Sequence, residues 1–128
     1  MALVSQESEF DPNKEMIDSN ISFKDFKRVD MRIGTVLSAE LNAKARVPAY
    51  VLRIEFGELG ERISSAQITA NYSAEELVGR QVVAVLNFPP KRVAGVKSEV
   101  LVIGAVSETN EVLLLTPAGP VKNGTRIA

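Results

Sequence analysis

At 128 residues, 45% hydrophobic and 24% charged, the chain has the make-up of one globular domain, and it contains neither an apolar run near 18 residues nor a basic-then-apolar leader. It has no cysteine and no histidine, which excludes disulfides, thiolate or imidazole metal sites and any nucleophile activated by histidine. The net charge of −1 divides unevenly: residues 1–20 hold five acids and one base, and residues 21–128 hold 14 bases and 11 acids. A cytoplasmic location is expected from this composition, with no membrane insertion.

Residues 1–20 are polar and acidic and read as a mobile N-terminal extension, in which Met16 and Ile17 alone offer apolar contact. Residues 21–128 form the domain. In SFKDFKRV, Ser22 and Asp25 have capping-box spacing, so a short helix starts there with Phe23 and Phe26 on one face. MRIGTVLSAELN, residues 31–42, reads as a long strand in which Gly34 marks a bulge or bend. The loop AKARVP, 43–48, carries Lys44 and Arg46. AYVLRIEFG, 49–57, alternates, with Tyr50, Leu52, Ile54 and Phe56 on one side and Arg53 and Glu55 on the other.

ERISSAQIT, 61–69, is a third strand with unusually small polar residues, Ser64, Ser65, Gln67 and Thr69, where β-branched or aromatic residues are usual. Such side chains suit either the close approach of a ligand backbone or an edge facing water. SAEELVG, 73–79, has Ser73 and Glu76 at capping-box spacing and Gly79 as a stop, giving a second short helix. QVVAVLN, 81–87, SEVLVIGAV, 98–106, and EVLLLTP, 111–117, complete six strands. The last two are apolar at successive positions, hence on both faces. Either the N-terminal segment or a second subunit must cover the outer face, and a homodimer is expected.

Three strands, a helix and two strands form the order of an all-β OB-fold, a five-stranded Greek-key barrel with short helices, here with an additional C-terminal strand. The helix in that slot argues against a plain β-sandwich. On the barrel reading, residues 43–48 and 88–97 emerge at the rim where OB-folds grip ligands. Pro89 and Pro90 hold the second loop extended, and Ala94-Gly95 supplies a turn that returns Lys97 toward Lys91 and Arg92. With two Tyr, five Phe and no Trp, stacking partners are few, and Phe88 is the one well placed. Sequence-blind single-strand binding is therefore disfavoured.

Catalysis is not expected, and no cofactor or metal is called for. Lys97 and Ser98 are adjacent in a strand and point to opposite faces, and Glu75 and Glu76 are consecutive on a helix. Neither of the glycine-rich phosphate motifs, GxGxxG or GxxxxGK[ST], is present.

The blocks VDMRIGTV, NFPPKRVAGVKSEVLVIGA and GPVKNGTRI together resemble the tRNA-binding domain family. Within it, ARVPAYVLRIEFG, SSAQIT and NFPPKRVAGVKSEVLVIG are most similar to the CsaA-type secretion chaperones, over residues 23 to 127. The resemblance implies an OB-fold homodimer that binds unfolded, export-destined polypeptides. On the reading of the residues themselves, an extended peptide would lie in a groove lined by Ser65, Gln67, Asn87 and Phe88. The alternative is a tRNA-binding protein using Lys44, Arg46, Lys91, Arg92, Lys97 and Ser98. Lys91, Arg92, Gly95, Lys97 and Ser98 fall where tRNA-binding relatives carry their basic loop. Glu99-Val100 stands where many of those relatives have a small or neutral pair, and an acid beside the patch favours the chaperone branch. The acidic extension is not part of the family pattern.

Overall fold

A computed structural model of the chain describes residues 19–128, so the mobile acidic terminus expected from the sequence lies outside the described residues except for Ser19 and Asn20. Everything turns on β1, Met31–Leu41, which is long enough to serve two neighbours. Its first half pairs antiparallel with β4, Gln81–Val85, and its second half with β2, Tyr50–Glu55. A strand shared in this way has to bend, and the register jumps between Val36 and Ser38. The bulge is therefore at Leu37 and not at Gly34, which stays in register opposite Val82. Gly34 answers a different need. A Cβ there would stand 2.6 Å from the Phe56 ring and 2.7 Å from Ile54, so only glycine lets β1 cross the core so closely.

β3, Glu61–Ala66, extends the sheet beyond β2, and β7, Leu101–Val102, extends it beyond β4, giving the order β3-β2-β1-β4-β7. The sheet then curls until its ends meet. The Glu99 N–H donates to the Ile63 carbonyl (2.7 Å), the Ile63 N–H donates to Glu99 Oε1 (2.9 Å), and the Ser65 N–H donates to Ser98 Oγ (3.0 Å). Two of these three bonds use side chains. This nearly closed five-stranded barrel is an OB-fold, as the order of elements predicts. Inside lie Val36, Leu52, Ile54, Phe56 and Val82. The alternation in β2 is as expected, with Arg53 exposed and Tyr50, Leu52 and Ile54 buried.

The helix α2, Ala74–Leu77, sits between β3 and β4 and buries Leu77 completely. Its capping box is formed: the Ser73 N–H donates to Glu76 Oε1 (2.8 Å) and the Glu76 N–H to Ser73 Oγ (3.2 Å). The Ser73 backbone and hydroxyl bonds hold the Glu76 carboxyl below the usual 4.5. The cap therefore contributes fully above that pH and is lost as the pH falls through the lowered folded value. The helix α1, Phe23–Lys27, also has its capping box, but it buries no residue and Phe23 is 72% exposed. It is held from its C-terminal side instead. Asn87 Nδ2 donates to the Arg28 carbonyl (2.7 Å), Asn87 Oδ1 accepts from the Asp30 N–H (3.0 Å), and Arg126 Nη2 donates to the Lys27 carbonyl (2.7 Å).

Three further expectations are corrected. The third strand stops at Ala66, so Gln67 and Thr69 lie beyond it, and Ser64 and Ser65 are buried, not at a water-facing edge. The stretch 98–106 is not one strand. It breaks at Glu99, which turns toward Ile63, and resumes as β7 and then β8, Gly104–Val106, which pairs with β9, Val112–Leu114. Val100, Leu101 and Val102 are all buried within the chain itself, whereas Leu113 and Leu115 stay 56% and 45% exposed. Residues 121–127 cover the side of β1 that β2 leaves free. The Ile33 N–H donates to the Thr125 carbonyl, and the Gly124 and Ile127 N–H groups to the Ile33 and Met31 carbonyls.

Glu99 is thus a seam residue. Glu99→Ala leaves the Ile63 N–H without its acceptor, a loss of about 1–3 kcal/mol for a part-buried donor. Melting followed by circular dichroism is expected to fall by roughly 5–10 °C. Glu99→Gln, which keeps the accepting oxygen, retains most of the stability.

Candidate ligand groove

Residues 88–97 are expected as a loop, but most of them form a hairpin. β5, Lys91–Val93, pairs with β6, Val96–Ser98, in the register Lys91 to Ser98, Arg92 to Lys97 and Val93 to Val96. The turn is at Ala94-Gly95, as predicted. Both residues have positive φ, 46° and 86°, the backbone that matches the twist of a two-residue hairpin turn. Glycine takes that conformation freely, but alanine is strained there by roughly 1 kcal/mol.

Asn42 holds the strained tip in place. Its Nδ2 donates to the Ala94 carbonyl (3.4 Å), and its Oδ1 accepts from the Lys44 N–H (3.0 Å). One side chain thereby ties the hairpin to the loop after β1. Between them opens a groove of about 310 Å³, lined among others by Lys44, Arg46, Val47, Gln67 and Val93. Its walls mix two exposed bases with apolar surface and one amide. Lys44 and Arg46 have no carboxylate partner among the described residues.

Side chains alternate along a strand, which divides the hairpin cations. Arg92 and Lys97 lie directly opposite each other on the exposed face. Lys91 alternates to the other face, with half-buried Val93 and buried Ser98. The three cations thus form a pair and a single, not one cluster. Like charges in directly paired positions repel, so the Arg92–Lys97 pair is a standing local expense that an anion would relieve. Arg92 Nη1 donates to the Gly95 carbonyl (3.3 Å).

The other candidate residues are dispersed. Gln67 is half-buried in the groove wall. Ser65 and Ser98 are 4% and 5% exposed and joined by the Ser65 N–H to Ser98 Oγ bond, so they serve the seam and face no surface ligand. Asn87 spends both ends of its amide on residues 28–30. Phe88, 49% exposed, stands at the hairpin base. Glu99 points into the seam, which removes it as an argument against an anionic ligand at the hairpin. Asn42 is the residue the sequence reading misses. An asparagine directly after a strand and ahead of a loop is the available signal, since its side chain readily bonds its own backbone two residues on.

The family described as "Putative tRNA binding domain" matches residues 31–126. The chain belongs to the tRNA-binding domain family. Among solved structures of similar chains, chaperone CsaA from Bacillus anthracis is 57% identical with a TM-score of 0.82, covering 86% of this chain and 100% of that one. CsaA chaperone protein from Picrophilus torridus is 44% identical with a TM-score of 0.79, covering 85% of this chain and 100% of its own. A methionine–tRNA ligase from Porphyromonas gingivalis is 36% identical over 111 residues, 87% of this chain but 16% of the ligase. The chain therefore spans about one sixth of that enzyme's length, the part that aligns with the binding domain. No helix among the described residues is long and apolar enough to cross a membrane.

Asn42→Ala removes both bonds at the groove's junction. Amide hydrogen exchange at residues 93–97 is expected to quicken about tenfold or more, equivalent to about 1.4 kcal/mol of local opening. Exchange in β1, β2 and β4 should stay within a factor of two or so of the unaltered protein.

Proposed function

We propose that the chain is a molecular chaperone that holds extended segments of unfolded, export-destined polypeptides in the groove between residues 43–49 and the 91–98 hairpin. The observation that carries this reading is the groove's mixed lining. Val47 and Val93 offer apolar contact for a client side chain, and Gln67 can donate to and accept from a client backbone. Lys44 and Arg46 stand at the mouth for carbonyls or acids. Likeness to two CsaA chaperones over their whole length supports it. Such a site binds and releases without bond chemistry, lowering the free concentration of aggregation-prone chain. The proposed setting is the cytoplasm.

A second reading, tRNA binding, is favoured by one feature, the paired exposed cations Arg92 and Lys97. Phosphates brought between them would relieve their repulsion. The family match supports tRNA as a partner.

Assembly as a homodimer is part of the proposal. The outward Leu113 and Leu115 form an apolar face that no described residue covers, and a second copy would bury it.

The two ligands separate by mutation. Charge reversal by Arg92→Glu with Lys97→Glu is expected to lower bulk tRNA affinity more than tenfold. In the unaltered protein the log-affinity slope against log salt should lie near −1.4, from roughly −0.7 per neutralised phosphate over the two cations of the exposed pair. Val47→Asp, at a half-exposed groove position, should lower affinity for a carboxymethylated, permanently unfolded polypeptide about tenfold and leave tRNA affinity nearly unchanged. Bulk placed at Ser65 would not test the groove, because Ser65 is buried and has no room for it. If reversal abolishes polypeptide binding and Val47→Asp does nothing, the chaperone reading is wrong. In light scattering, the full chain should give roughly twice 13.9 kDa, and Leu113→Asp with Leu115→Asp should give the single-chain mass.

A further inference from the structure

Of the seven asparagines in the chain, only Asn123 is followed by glycine. Asparagine is a thermally labile residue, and its weakness is intramolecular. The next backbone nitrogen attacks the side-chain carbonyl carbon, and a glycine there, lacking a Cβ, leaves that nitrogen unshielded. Asn123-Gly124 is therefore the position most open to this reaction. It sits in the segment that covers the free side of β1.

The fold restrains both reactants. The Gly124 N–H donates to the Ile33 carbonyl (2.7 Å), so the nitrogen keeps its proton and is turned toward β1. Asn123 Oδ1 accepts from Thr35 Oγ1 (2.8 Å) and Gln81 Nε2 (3.0 Å), and Asn123 Nδ2 donates to Glu55 Oε1 (3.4 Å). Two donors on the amide oxygen polarise its carbonyl, which by itself favours attack. The nitrogen decides the rate, because it must lose the proton that the Ile33 bond holds. Water is at hand: Asn123 and Gly124 are half-buried and line a cleft of about 220 Å³ with Arg32, Lys122 and Thr125.

We propose that Asn123-Gly124 is a site of spontaneous deamidation that the folded clasp of residues 121–127 holds shut, and that the product keeps the clasp from closing again. When the clasp lifts, the Gly124 nitrogen, its proton taken by hydroxide, bonds to Asn123 Cγ. The Cγ–Nδ2 bond breaks and the nitrogen leaves as ammonia with a proton from water. Water then opens the cyclic imide at either carbonyl, giving an aspartyl or an isoaspartyl residue. The first puts a carboxylate oxygen where the amide met Glu55, two acids in half-buried contact. The second adds a methylene to the backbone, where there is no slack. A Cβ on Gly57 would stand 2.5 Å from the Asn123 carbonyl oxygen, and one on Gly124 would stand 2.7 Å from that of Phe56. The added methylene also throws Thr125 and Ile127 out of register with Ile33 and Met31. A clasp that cannot reseat leaves the Met31–Ile33 edge of β1 unpaired, a template for another chain. Because the step is irreversible, each chain records the time its clasp has spent open. The site shares no residue with the lining of the ligand groove.

The full-length protein is incubated in heavy-oxygen water at mildly alkaline pH, in native buffer and in unfolding urea, and then digested for mass spectrometry. Heavy oxygen marks the acids formed during the incubation. In urea, position 123 is expected to gain label about tenfold or more faster than in native buffer, and ahead of every other asparagine. Gln81→Ala removes the bonds to Val121 and Asn123 and leaves the Asn-Gly pair intact. It should quicken native labelling and Gly124 amide exchange by the same factor, since both need the Ile33 bond broken. Equal native and unfolded labelling overturns the proposal, as does a Gln81→Ala protein in which the two rates part or neither moves. Asn123→Asp should melt several degrees lower than the unaltered protein, and adding Glu55→Gln should recover at least half of the loss. An unshifted melt, or no recovery in the double variant, overturns the claim that the product cannot reseat.

Discussion

The structure depends on how the barrel is closed. β3 and residues 98–99 at the end of β6 are joined by three hydrogen bonds, and in two of them the acceptor is a side-chain oxygen, of Ser98 or of Glu99. A seam made this way needs an acceptor carboxylate and a hydroxyl at adjacent positions, with one reaching Ile63 and the other Ser65. The hairpin that carries Lys91, Arg92 and Lys97 runs straight out of that seam, because Ser98 is at once the last residue of β6 and the partner of the Ser65 N–H. The wall of the groove is therefore set by the same bonds that complete the fold. It does not hang from the rim as a free loop, and a ligand bound there would meet a surface already ordered, with little conformational entropy left to lose.

The far end of the hairpin is fixed independently. Ala94 in a left-handed conformation would relax if released, and Asn42 holds it while also ordering the loop that carries Lys44. Strain stored at the tip is thus held by a neighbouring loop, which keeps the end of the hairpin in one place. The groove thus lies between two fixed supports, the seam and the Asn42 junction. The exposed Arg92–Lys97 pair stands on the outer face of the same hairpin. Polypeptide and polyanion would therefore meet different faces of one element, which lets both readings coexist in a single family.

Much of this was legible beforehand. Capping-box spacing located both helix starts, alternation located the core face of β2, and element order gave the barrel. Ala94-Gly95 announced its turn through the residues themselves. What stayed hidden was tertiary. Ser65, Ser98 and Glu99 look like surface polar residues in a string of letters, and only the closure of the barrel reveals them as seam residues. Asn87 reads as a ligand contact but is consumed by Arg28 and Asp30, fifty-nine and fifty-seven residues away in sequence. Gly34 suggested a bulge, yet the crowding that demands it comes from Phe56, which local pattern cannot show. The hairpin register, which divides Lys91 from Arg92 and Lys97, likewise waits on the pairing.

The central claim is that ligand enters the groove between residues 43–49 and the hairpin. Amide shift mapping tests it most directly, by titrating the carboxymethylated polypeptide into isotope-labelled protein at low salt. The account predicts the largest shifts at residues 42–47, 67 and 91–97, with the seam amides of Ile63 and Ser65 nearly unmoved. Shifts concentrated instead on β8, β9 and the outward Leu113 and Leu115 would contradict it.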